Sequence, residues 1–131
     1  MKRITPKAHS KTQTDKAGIL LCNVTSTNEE KNKALEILSN WRASHNYPMQ
    51  VFKQRLKRVS EKMDKSSLSA QRLKRVPSII NKLKRKYDDH KATMKLTQMQ
   101  DIAGCRVVMS EVELARKLHK EYYHKGDLKH K

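Results

Sequence analysis

Apolar residues recur at helical spacing through most of the chain and alternate in only two short stretches. Thr27 and Glu30 have the spacing of a capping box, with acidic residues in the first turn, and Ala34, Leu35, Leu38 and Trp41 follow as one stripe. That helix is expected to end before Pro48, because the residue preceding a proline is pushed out of the α region and Asn46 is a good terminator. Pro48 then opens a second helix, whose seam is Met49, Phe52, Leu56, Val59 and Met63. Asp64 to Ser69 reads as a linker, and Gln71 to Val76 as a weakly alternating strand. Pro77-Ser78 opens a third helix carrying Ile79, Ile80, Leu83 and Tyr87, followed by a polar turn from Asp88 to Thr93. Ile102 to Met109 is the stronger strand. Ser110 and Glu113 form a second capping box, and the last helix carries Val112, Ala115, Leu118 or His119, and Tyr122 up to Gly126. Residues 1–26 show no sustained period and read as a loose leader with one short extended piece from Ile19 to Val24.

The order helix, helix, strand, helix, strand, helix predicts an α/β (α+β) fold: two helices precede a mixed sheet that is incomplete. Three segments follow from it: a flexible leader at 1–26, a helical pair at 27–66, and a strand-helix-strand-helix unit at 67–131.

Charge sharpens this picture. The net charge is +17, and residues 53 to 91 hold 14 of the 30 Lys and Arg but only 4 of the 13 acids. Such a field attracts polyanions without choosing among nucleotides, nucleic acid and anionic surfaces. Cys22 and Cys105 are 83 positions apart and form no CxxC pair, so a disulfide framework is not expected and a reducing cytoplasm fits. Cys105 lies within the stronger strand and reads as a small buried hydrophobe rather than a reactive thiol. No apolar run approaches a membrane span, and Met1-Lys2-Arg3 lacks a following signal-peptide core.

Within that basic region lies an ordered set: Arg72-Leu73-Lys74, then Ser78 and Lys82, then Asp101-Ile102-Ala103-Gly104-Cys105-Arg106. Fixed cations, a hydroxyl at a helix start and a hard carboxylate are what a triphosphate and its magnesium require. Ser78 falls at a helix N-terminus, where free N–H groups and the dipole favour an anion, and Lys82 lies one turn along the same face. Asp101 and Arg106 are five residues apart, which a regular strand points to opposite faces; a bulge at Gly104 is the expected remedy.

These residues, with Met94 to Gln100 leading into Asp101 and Asn40 to Pro48 upstream, resemble the synthetase domain of the RelA/SpoT family, the (p)ppGpp synthetases, over about residues 28 to 131. The resemblance implies a nucleotidyltransferase-like sheet. It also implies transfer of the β,γ-pyrophosphate of ATP to the 3′-hydroxyl of GDP or GTP with Mg²⁺. Arg72, Lys74, Ser78 and Lys82 would contact ATP, Asp101 would hold the metal, and Arg106 would be a further charge partner near the phosphates. Gln71 departs from the family, many of whose members have glycine before the first arginine. The family's guanine-stacking tyrosine, in a Gly-Tyr-Arg-Ser-like segment, and its later glutamate would lie beyond Lys131. The expectation is therefore a donor half-site, a truncated or degenerate form with little or no turnover alone.

Without the resemblance, Arg72, Lys74 and Lys82 read as solvated surface charge, and Asp101 as a strand-end carboxylate paired with a lysine. Trp41 and His45 share a helical face and read as packing. His119, His124 and His130 lack metal-ligand spacing, and Tyr122 continues an apolar stripe. A basic nucleic-acid-binding module is the alternative function. It is disfavoured because only six residues are Phe, Trp or Tyr and none lies between Lys53 and Arg85 to stack on a base. A tRNA-modifying relative, a homo-oligomer, and a regulatory role in which residues 28 to 63 dock on a full-length relative are left open by the sequence.

Overall fold

The computed structural model describes residues 5–88 and 94–125. In chain order they form α1 (Lys11–Cys22), α2 (Asn28–Ser44), α3 (Asn46–Met63), β1 (Leu68–Leu73), α4 (Val76–Asp88), a 3-10 turn (Leu96–Gln98), β2 (Ala103–Val108) and α5 (Val112–Lys125). The fold is α+β, and its sheet is an antiparallel pair, β1 beside β2, rather than a mixed sheet. No helix among the described residues is long and apolar enough to cross a membrane. The polar turn expected at 88–93 and the stop at Gly126 lie outside the described residues, Asp88 apart, which closes α4.

Two compact units emerge, each assembled from separate stretches of chain: residues 1–47 with 73–103, and residues 48–72 with 104–131. The expected helical pair is therefore divided, α2 falling in the first unit and α3 in the second.

In the first unit, residues 11–22 of the expected loose leader form helix α1, and the extended piece foreseen at Ile19 to Val24 is mostly its last turn. The helix forms because Ser10 caps it reciprocally: Gln13 N–H donates to Ser10 Oγ, and Ser10 N–H donates to Gln13 Oε1, both at 3.1 Å. Its Ala17 and Leu21 join Ala34 and Leu38 of α2, Ile79 and Leu83 of α4, and Leu96, Met99 and Ile102 in one core. Gly18 lets α1 approach the 3-10 turn closely, since a Cβ there would stand 3.1 Å from Leu96 Cβ. Asp15 fastens the same contact, accepting from Thr97 N–H at 2.9 Å and Thr97 Oγ1 at 2.7 Å. The capping box at Thr27 and Glu30 forms as the sequence predicts. Trp41 meets His45 edge to face at 4.8 Å, consistent with a packing role.

Helix α2 ends at Ser44, before Pro48 as expected, and α3, which the second unit takes from Pro48 on, opens two residues ahead of that proline at Asn46. Met49 is buried while Phe52 is exposed, so the predicted seam is covered unevenly. Strand β1 begins at Leu68, three residues before the predicted Gln71. The linker is shorter than expected because Asp64 folds it into a tight turn, accepting from Ser66 N–H at 3.0 Å and Ser66 Oγ at 2.6 Å. The other oxygen of Asp64 accepts from Ser110 N–H at 2.7 Å. That bond ties the turn to the start of α5, which opens at Val112 with Val112 itself 66% exposed and Leu118 buried.

Candidate functional site

The first unit brings three of the predicted residues together. Lys74 Nζ stands 3.0 Å from Asp101 Oδ2, and Lys82 Nζ stands 2.9 Å from Asp101 Oδ1. Each carboxylate oxygen thus holds a different ammonium, one from the end of β1 and one from α4.

The three groups are mounted on fixed points. Lys74 is held through its backbone on both sides: its N–H donates to the Ile102 carbonyl at 2.7 Å, and its carbonyl accepts from Arg42 Nε, also at 2.7 Å. Ile102, next to Asp101, is 1% exposed and anchors that segment in the core. Lys82 precedes Leu83 and follows Ile79 by three residues, so α4 buries its apolar side and holds the ammonium at the margin of the core. Arg42 belongs to the site only through Lys74. Sequence reasoning gave it no role, because nothing in a linear pattern connects the last turn of α2 with a residue 32 positions later.

Exposure is graded across the cluster. The side chains of Lys74 and Lys82 are 16% and 29% exposed, whereas that of Asp101 is 51% exposed. Asp101 is therefore the most exposed side chain of the three. The Lys82 ammonium, then that of Lys74, lowers the Asp101 carboxyl from its ordinary 3.8 to about 2, so it is charged throughout the neutral range.

Ser78 lies in the first turn of α4, one turn before Lys82, and is half-buried. The helix opens at Val76, since Ile79 N–H already donates to the Arg75 carbonyl at 3.0 Å. Ser78 is thus its third residue rather than the one that opens it.

Arg72 and Arg106 belong to the second unit. The antiparallel register places Arg72 opposite Gly104 and Arg106 opposite Ala70, with both arginines on the exposed face of the sheet. Strand β2 alternates in burial without a break through Gly104, so the bend expected there does not form. Cys105 points to the covered side, where its Sγ donates to the Met49 carbonyl at 3.4 Å and burial raises the thiol pKa. His124 and His130 lie outside the residues whose side chains are described.

The donor set suits magnesium in one way only. Among the described residues no group of three His, Cys, Asp or Glu side chains could hold a metal by itself. Mg²⁺ is commonly held by one or two carboxylates, with phosphate oxygens and water completing its shell, and Asp101 supplies one such accessible carboxylate.

No family model matches the chain, and no curated protein matches it.

Proposed function

We propose that Lys74, Ser78, Lys82 and Asp101 form the ATP-binding, donor side of a RelA/SpoT-type pyrophosphotransferase site, with Mg²⁺ carried by Asp101. One observation carries this reading: two lysines from different elements, each fixed through backbone or core packing, converge on a single accessible carboxylate. A solvated basic surface does not require that convergence, and it supplies the opposed charges that a metal–polyphosphate needs. The ammonium groups would take phosphate oxygens, the first turn of α4 would favour the anion, and Asp101 would hold the cation. When bound, Mg²⁺ would supply charge neutralisation at the phosphates.

In this reading GDP or GTP is the acceptor and the protein acts in the cytoplasm. What Lys74, Ser78, Lys82 and Asp101 support is binding of the donor nucleotide. Arg72 and Arg106 are additional cations whose part in ATP binding rests on the resemblance alone.

Isothermal titration of the full chain with Mg-ATP tests the reading. The expected outcome is saturable one-to-one binding, weakened tenfold or more by Lys82→Ala or Asp101→Ala. Substitution of the exposed Lys57 and Lys84 should leave it nearly unchanged. Equal losses from both pairs, or tighter binding of duplex RNA than of Mg-ATP, would overturn it in favour of a general polyanion surface.

A further inference from the structure

We infer that Asp101 makes this cradle selective for polyphosphate that arrives with a divalent cation and discriminates against free anions. The inference rests on the donor-site reading above and adds a specificity role that metal binding alone does not imply.

The geometry supplies the reason. Both Asp101 oxygens are engaged, Oδ2 by Lys74 at 3.0 Å and Oδ1 by Lys82 at 2.9 Å, so neither ammonium is offered to solvent alone. The Asp101 side chain is also the most exposed of the three, at 51% against 16% and 29%. An approaching anion therefore meets two lysines that are each already paired with a carboxylate oxygen. To reach the lysines it must replace the carboxylate and then remain beside it, with like charges at short range. A divalent cation removes that conflict, because it draws the carboxylate charge onto itself while the ammonium groups turn to the phosphates. Cation and polyphosphate then each relieve the cost that the other imposes, which is a coupling between two ligands at one site. A cradle of lysines without the carboxylate would accept either form.

The distinguishing prediction runs opposite to ordinary loss of a binding residue. Asp101→Asn removes the competing charge, so metal-free polyphosphate should bind the variant more tightly than the native chain. Two ion pairs at a partly exposed site correspond to a gain of about tenfold. The dependence on Mg²⁺ should shrink by at least the same factor.

The experiment is titration calorimetry of the full chain with inorganic tripolyphosphate at constant ionic strength, once with excess EDTA and once with MgCl₂. Complexation of tripolyphosphate by Mg²⁺ in solution is identical for every variant and cancels in the comparison. The native chain should bind weakly in EDTA and well with Mg²⁺, Asp101→Asn should gain in EDTA, and Lys82→Ala should lose in both. Asp101→Ser provides a second neutral variant, with circular dichroism confirming that each remains folded. If native binding with Mg²⁺ is present and depends on Lys82, yet Asp101→Asn and Asp101→Ser bind no better than native in EDTA, the selectivity role is wrong and the cradle stands. If the native chain binds tripolyphosphate in neither condition, or Lys82→Ala changes nothing, the cradle and the selectivity role fall together.

Discussion

Asp101 shows how a half-exposed carboxyl acquires a lowered pKa. Because its folded pKa is about 2 against an ordinary 3.8, its ion pairs stabilise the fold above the ordinary value and are lost as pH falls toward 2. The contribution is limited by solvent, on the order of 1 kcal/mol or less. In Lys82→Ala, nuclear magnetic resonance titration of the Asp101 carboxyl should show its midpoint moving up toward 3.8, since the Lys82 ammonium is the largest cause of the depression. An unmoved midpoint would mean that the 2.9 Å contact does not govern the charge. The sequence brought Lys74, Lys82 and Asp101 into one set through their order along the chain. What it could not supply was the pairing of each oxygen with a different lysine, because that depends on where β1 ends and how α4 is rotated. Arg106 joins them only through the resemblance, and regular alternation of β2 removes the bend at Gly104 that would bring it to Asp101.

At the scale of elements, the two described glycines with structural consequences act in opposite ways. Gly18 is required by the approach of α1 to Leu96, so Gly18→Val should destabilise the chain by about 1–3 kcal/mol through overpacking, read as a shift in the urea midpoint. Gly104 has nothing within 4 Å of where a Cβ would stand and lies in a regular strand, so Gly104→Thr should stabilise by about 0.5–1 kcal/mol. A destabilised Gly104→Thr would show that the strand needs glycine after all. Helix α1 was invisible to periodicity, because polar residues and Gly18 interrupt Lys11 to Cys22 and no acid marks its first turn. The Ser10 and Gln13 pair was nevertheless legible as a capping box and was the signal to follow. The stripe in α2 and, in α4, Ile79, Ile80 and Leu83 face the core as the spacing predicts, because burial reinforces the local pattern; Tyr87 lies outside the described side chains. In α5 the pattern misled at Val112, which the first turn leaves in solvent.

For the whole molecule, the division into 1–47 with 73–103 and 48–72 with 104–131 cuts across the linear order of segments foreseen from the sequence. The segment 67–131, expected as a unit of its own, contributes Ile79, Leu83, Leu96, Met99 and Ile102 to a core whose remaining residues are Ala17, Leu21, Ala34 and Leu38. Expressed alone, 67–131 should therefore lack cooperative unfolding by circular dichroism, while the full chain unfolds cooperatively. A sharp melting transition in the fragment would show that α1 and α2 are dispensable. Linear patterning cannot reveal such interleaving, since each stretch carries a complete local signal wherever its partners lie.

The position of Ile102 has a consequence for synthesis in the cell. A polypeptide leaves the ribosome from its N-terminal end at about 5–20 residues per second, and Ile102 is among the last pieces of the first core to be made. Helices α1 and α2 must wait, partly uncovered, until the chain has been translated as far as Ile102. During that delay the nascent chain is open to proteases and chaperones, so the abundance of the protein should depend on translation speed between codons 48 and 102.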